Sequence, residues 1–247
     1  MTLLETAHRP WPLPRRPWVM AMEWHDLLFL HWPVAPAALR PLLPPGLELE
    51  TFGGDAWLGV VPFWMRGVRA RATPTLPWVS AFPELNVRTY VRAGDRPGVW
   101  FFSLDAANPL AVQVARATFH LPYFDARMAA LPAGTGVDYR STRTHRGAPP
   151  AEFAARYRPT GPVRLAEPGS LDAWLTERYC LYAANRRGLV WRGEIHHAPW
   201  PLQPAEAELQ RNSMTAPIRL RLPDTPPLLH FARRLDVVAW MPERLEA

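Results

Sequence analysis

Lysine is missing altogether: all 28 basic side chains of the 247-residue chain are arginines. A guanidinium stays protonated and is a poor nucleophile, so no side chain here can form an imine with a carbonyl compound. The α-amino group of Met1 is the only primary amine left. Cysteine is nearly missing as well. Cys180 stands alone, which excludes an intrachain disulfide, and with no His and Asn arranged around it in a familiar way it reads as a small buried hydrophobe. No apolar run approaches the roughly 18 residues of a membrane-spanning helix, and the N-terminus lacks the apolar stretch and small-residue cleavage site of a secretory signal. A cytoplasmic protein with no membrane partner is the expectation. Also lacking are a Gly-rich phosphate loop, a G-x-S-x-G elbow and an H-E-x-x-H helix.

What is present suits a packed core: 48% hydrophobic and 11% aromatic residues. The net charge is +6, but the arginines fall in short groups (Arg15 and Arg16; Arg66, Arg69 and Arg71; Arg143 and Arg146; Arg233 and Arg234). They form no dense stripe interleaved with exposed aromatics, so a nucleic-acid partner is not expected. The 30 prolines and the arginine-only usage fit a GC-rich coding bias or a rigid-loop thermostable protein as well as any functional demand.

Residues 1–17 hold four prolines and no sustained period, and read as an ill-ordered N-terminal arm, with one folded domain over 18–247. Seven segments alternate with the two-residue period of a strand: HDLLFLHW, AWLGVVPFWM, ELNVRTYV, VWFFSLD, RYCLYAAN, LVWRGEIHH and LDVVAWMP. The clearest helix is NPLAVQVARATFH, with Asn108 as N-cap, Pro109 at the first position, and Leu110, Val114 and Ala117 on one apolar face. SLDAWLTE, capped by Ser170, and APAALRPLL, broken by Pro41, are shorter candidates. AANRRGLV reads as a hairpin turn in which Asn185 and Gly188 tolerate positive φ. Residues 130–169 read as a hairpin with an excursion or an inserted loop. The fold class is mainly β, a curved or closed sheet with a few helices packed on it.

Candidate chemistry concentrates in three places. In ELNVRTYV, Glu84, Asn86, Arg88 and Tyr90 share one strand face. From spacing alone that face is expected to be solvated; facing a cavity, it would put the Glu84 carboxylate in a low-dielectric site with Arg88 as counter-charge, suited to acid–base work or to orienting a polar ligand. Along the helix and past its end, Gln113, Arg116 and His120 form a polar stripe, with Tyr123 and Phe124 just beyond Pro122. In GEIHHAPW, Glu194 and His196 share a face and His197 takes the other, and no second group at ligand spacing completes a metal site. Glu177, Arg178 and Tyr179 read as a structural ion pair and a core aromatic.

The strings LRPLLPPGLELETFGGDAWLGVVPFWM, FPELNVRTYV, GVWFFSLDAANPLAVQVARATFHLPYFDARM, LTERYCLYA and GEIHHAPWPLQ resemble the YqjF-like family of bacterial proteins of unknown function, from about Trp18 to Pro242. That resemblance implies the acetoacetate decarboxylase fold, a curved, partly closed β barrel around a ligand cavity. The decarboxylase pattern has a helical arginine, a proline and then two lysines, the first of which forms the Schiff base. Here Arg116 and Pro122 match, Tyr123 and Phe124 stand at the lysine positions, Glu84 matches the pocket glutamate, and in a looser alignment a pocket arginine falls near His25.

Schiff-base decarboxylation is thereby excluded, and whether the chain is an enzyme at all stays open. Three functions remain. One is a binder of a small apolar or aromatic molecule with a polar or acidic group, held by Glu84, Arg116, Tyr123, Phe124 and His25 without a cofactor or metal. Another is a lysine-independent enzyme with Glu84 or His120 as acid or base on a carbonyl or carboxylic acid compound. The third is a structural or interaction protein. The oligomeric state is open, a homo-oligomer included.

Overall fold

The two-residue alternations become strands in the computed structural model, which describes residues 5–185 and 187–245. Among the described residues the strands are β1 (Met20–Val34), β2 (Glu48–Leu49), β3 (Ala56–Ala70), β4 (Phe82–Ala93), β5 (Arg96–Ala106), β6 (Tyr123–Ala133), β7 (Gly136–Arg143), β8 (Glu152–Pro159), β9 (Cys180–Ala184), β10 (Val190–His197), β11 (Leu202–Asn212), β12 (Leu228–Ala239) and β13 (Glu243–Arg244). The helices are α1 (Pro36–Leu39), α2 (Pro109–Thr118) and α3 (Leu171–Thr176). All seven segments expected as strands are strands. The stretch 130–169 is more regular than expected, because it carries β7 and β8, paired with each other, with β6 and with β11.

All thirteen strands join one sheet in the order β13-β10-β9-β5-β6-β7-β8-β11-β12-β1-β3-β4-β2, with further pairings β4–β5 and β10–β12. Pairings therefore return on themselves through β5, β9, β10, β12, β1, β3 and β4, and the curved sheet wraps an interior. Strand β5 makes this possible. One edge pairs with β4, while the other pairs in parallel with β9 at Val99 and Trp100 and with β6 from Leu104 to Ala106. A parallel pair needs a crossover, and α2 supplies it between β5 and β6.

Strand β4 runs between β3 and β5, and every residue from Phe82 to Val91 is buried. Leu85 and Val87 pack into a cluster with Leu28, Leu30, Leu58 and Tyr139 on one side of the sheet. On the other side the main cluster gathers Leu27, Phe29, Phe63, Leu104 and Trp200. The expectation that Glu84, Asn86 and Arg88 form a solvated face is thus overturned. A strand covered on both faces keeps its two-residue period but gives it a different meaning.

At the start of α2 the Asn108 side chain accepts from the Ala111 N–H at 3.1 Å, and Pro109 opens the helix. The apolar face differs from the expected one: Val112 is buried, with Ala111, Ala115 and Phe119 packed beside it, whereas Leu110 and Val114 are half exposed. Both also line the interior of the sheet, so they stand where it meets solvent. Asn108 Nδ2 also donates to the Trp78 and Val79 carbonyls, tying the 71–79 loop to the helix. Asn108→Ala removes the cap and the tie together and is expected to cost about 1–2 kcal/mol, measured by urea unfolding; a loss under a few tenths would mean that neither contact contributes.

Residues 5–19 contain no helix or strand, yet the segment is not the loose lead-in expected of it. Arg9 and Trp11 are buried, and both donate to Glu194 Oε2, at 3.1 and 2.8 Å. A carboxylate that is itself buried requires such partners, and a segment without periodicity is ordered by what it satisfies elsewhere. In the turn between β9 and β10, Gly188 has φ +75°, while Asn185 acts through its side chain, accepting from the N–H groups of Arg187 and Leu189. The ion pair expected within 177–179 is instead between Arg178 and Glu50, and Glu177 takes the Tyr179 hydroxyl and the Trp200 N–H. The Met1 amine lies outside the described residues.

Candidate functional site

The interior of the curved sheet holds a cavity of about 520 Å³. Its walls are largely apolar, with Trp24 and Leu27 from β1, Phe63 from β3, Phe101 and Leu104 from β5, and Trp200. Strand β4 supplies three polar side chains of the lining, because its two-residue period sends Glu84, Asn86 and Arg88 inward in succession. Tyr123, the first residue of β6, reaches the same space.

Glu84 is 2% exposed, and its Oε2 accepts from the Tyr123 hydroxyl at 2.8 Å. Burial pushes its pKa up to about 8; the Tyr123 hydrogen bond works against that rise and the nearby Asp105 adds to it. At neutral pH it is therefore mostly a neutral acid that can donate as well as accept. Its backbone is held too, since the Tyr139 hydroxyl donates to the Glu84 carbonyl at 2.7 Å. Burial first, and then the neighbouring Glu84, raise the Tyr123 phenol well above its ordinary value. Tyr123 is therefore a hydroxyl donor and not a phenolate.

Other candidates from the sequence lie elsewhere. Arg116 is not among the cavity-lining residues; its guanidinium donates to the Tyr123 carbonyl at 2.5 Å and so fixes the strand at the point where Tyr123 enters. Phe124 follows Tyr123 on a strand and faces the other way, under the Arg143 guanidinium at 4.2 Å. His120, at φ +55°, packs its ring 4.8 Å from that of Trp191. His25 meets Glu23 at 2.9 Å. Neither histidine lines the cavity. Among the described residues no three His, Cys, Asp or Glu side chains are grouped so as to hold a metal ion. His197 does line the cavity, with Nδ1 2.8 Å from the Ala198 carbonyl and a pKa brought down to about 4, chiefly by burial.

Arg88 and Asn86 line the cavity with Glu84, but Arg88 is not the counter-charge to Glu84 that an inward face suggests, since no ion pair joins the two and its ring neighbours are Phe29 and Tyr90. The sequence signal for both was the shared period with Glu84. Arg88 is 9% exposed, with its guanidinium carbon 5.3 Å from the Phe29 ring centroid and 5.8 Å from that of Tyr90. Beneath it the Tyr90 hydroxyl and His31 Nε2 are 2.7 Å apart, and burial holds His31 well below the usual histidine range, hence neutral.

A family described as an uncharacterized conserved protein, DUF2071, matches residues 21–236. The chain belongs to that family. It is 48% identical over 223 residues to the uncharacterized protein YqjF of Bacillus subtilis, covering 90% of this chain and 91% of that one. Among solved structures it is similar to the enduracididine biosynthesis enzyme MppR complexed with the condensation product of pyruvate and imidazole 4-carboxaldehyde, with a TM-score of 0.66 at 12% identity over 93% of this chain and 90% of that one. An acetoacetate decarboxylase-like enzyme from Sphingomonas wittichii gives 0.62 at 15% over 98% and 99%. The acetoacetate decarboxylase of Legionella pneumophila gives 0.61 at 12% over 96% and 93%. At such identities the likeness is one of fold, and the acetoacetate decarboxylase-like fold inferred from sequence strings is the fold of this DUF2071 chain.

Proposed function

We propose that this DUF2071 chain binds a small apolar or aromatic molecule carrying a polar or acidic group, without Schiff-base chemistry. The observation that carries the reading is the Glu84–Tyr123 pair, hydrogen-bonded at 2.8 Å in an otherwise largely apolar cavity of about 520 Å³. Ligand sites commonly combine roughly 300–1,000 Å³ of mostly apolar wall with a few convergent polar groups. The rim supports it: Leu76, Leu110, Val114 and Met241 surround the opening while 43–56% exposed, so an apolar molecule meets apolar surface on entry. The neutral Glu84 carboxyl offers a ligand carbonyl a donor and a ligand hydroxyl an acceptor.

A second reading, a lysine-independent enzyme, is favoured by one specific observation. A carboxyl with a pKa near 8 sits close to the operating pH of a general acid. The structurally similar proteins include enzymes, one of them complexed with a condensation product of pyruvate, which keeps carbonyl compounds in the test. With His120 outside the cavity, this reading rests on Glu84.

Thermal unfolding with keto acids, aryl acids, hydroxylated aromatics and neutral aromatics tests both. A ligand at a hundred times its Kd stabilises by about 2.7 kcal/mol. The expected result is a shift for one chemical class that shrinks in Glu84→Gln and Tyr123→Phe, both near-isosteric. Turnover of that class by the wild type, abolished in Glu84→Gln, selects the enzyme; affinity changes alone select the binder. No shift with any class sinks both.

A further inference from the structure

Four arginines are less than a tenth exposed among the described residues: Arg9, Arg88, Arg143 and Arg178. Three have a carboxylate. Arg9 meets Glu194 at 3.1 Å, Arg143 meets Asp105 at 2.6 Å, and Arg178 is paired with Glu50. Arg88 makes no ion pair with any described residue and its Nε is buried without a hydrogen-bond partner; its surroundings are the Phe29 ring, the neutral Tyr90 side chain, whose hydroxyl it interacts with, and the cavity. A guanidinium cannot relieve its burial by losing the proton, so an unpaired one is a standing cost to the fold. The tyrosine and histidine behind it do not offset the charge, since Tyr90 is a phenol whose pKa is raised by burial and His31 is neutral.

We propose that Arg88 is the anchor for a carboxylate on the ligand, so that the molecule held in the cavity is an apolar monocarboxylate. The inference rests on the cavity reading above and names its ligand class. One planar guanidinium fork matches the two oxygens of a carboxylate, whereas a phosphate dianion would need further donors. Asn86, between Arg88 and Glu84 on the same strand face, also has a buried amide oxygen with no partner. Residues four apart on a strand are separated by roughly 13 Å. A ligand carboxylate at Arg88 therefore leaves Glu84 and Tyr123 to hold a second polar group farther along an elongated apolar body.

The test is calorimetric titration at pH 7 with octanoate and 4-phenylbutanoate, each against its own primary amide, which has the same shape and no charge. The acids are expected to bind at least tenfold more tightly than the amides, and Arg88→Met is expected to bring the two within twofold. The methionine keeps the stem and removes an unpaired buried charge, so the variant is expected to melt no lower than the wild type. Arg88→Gln serves as a second variant, and the wild-type ratio of acid to amide needs neither. Equal binding of acid and amide by the wild type overturns the Arg88 anchor alone and leaves the cavity reading standing. So does a preference for the acid that survives both substitutions. Absence of binding by all four compounds overturns the cavity reading, and the anchor with it.

Discussion

At pH 9, Glu84→Gln is expected to be more stable than the wild type by a few kcal/mol, and at pH 5 the two are expected to be nearly equal. Glu84 has an ordinary value of 4.5 and is pushed to about 8 in the fold, mainly by burial. Between those pH values the folded chain keeps a proton that the unfolded chain has released. Protons bound in the folded state exceed those in the unfolded state, so the unfolding free energy falls as pH rises, by up to roughly 1.4 kcal/mol per pH unit for one group. The stability contributed by the proton on Glu84 is complete below about 4.5, drains away through neutrality, and is gone once the pH has passed the folded value near 8. Glutamine fills the same space and can accept from Tyr123, but it has no proton to lose. Urea unfolding of both proteins between pH 5 and 9 reads the difference directly. Parallel curves would show that Glu84 is not desolvated in the folded protein, and the cavity would lose its acid.

Arg143→Met is expected to be the most damaging single change near the site, at about 3–5 kcal/mol. Arg143 Nε lies 3.1 and 3.0 Å from the two Asp105 oxygens and a terminal nitrogen lies 2.6 Å from one of them, with both side chains almost fully buried. Burial raises the Asp105 pKa, and the Arg143 hydrogen bonds oppose that rise. Removing the arginine leaves a buried carboxylate that must stay uncompensated or take up a proton. The pair also spans three strands: Asp105 on β5 is in register with Phe124 on β6, and Arg143 on β7 stands over the Phe124 ring. The double variant Asp105→Leu with Arg143→Met removes both charges and is expected to recover most of the loss, since apolar replacement of a buried pair is often neutral. Chemical unfolding of the two single variants and the double closes the cycle. A double variant as unstable as Arg143→Met would mean that shape, and not the orphaned charge, sets the cost.

Strands could be read where side-chain contrast is high. In β1, β3, β4 and β5, large apolar residues alternate with polar or differently facing ones. In β8 the buried positions Phe153, Ala155 and Tyr157 alternate with Ala154 and Arg156, and alanine on both faces erases the contrast. In β11 only Leu202 is buried, so there is little apolar period to find. Helix caps were legible for a related reason: Asn108 and Ser170 bond N–H groups three residues away, a contact that local sequence contains. Arg116, Phe124, His120 and His25 were grouped with Glu84 because they are chemically suitable and near one another along the chain, or by a loose alignment. Alternation on β6 then turns Tyr123 inward and Phe124 outward, and the helix end carries Arg116 to a backbone carbonyl.

Composition and local pattern determined the chemistry denied to this protein, the seven most contrasted strands, the capped ends of two helices and, through long shared strings, the family. A chain without lysine needs no structure to exclude a side-chain imine, and period and capping are properties of neighbours in sequence. The tertiary structure alone decided which face of β4 is the inside, because that depends on covering from β1, β3 and β5. It alone decided which buried arginine is left without a carboxylate. Arg9, Arg143 and Arg178 find theirs at separations of 185, 38 and 128 residues, and no local pattern in the chain records contacts at such distances.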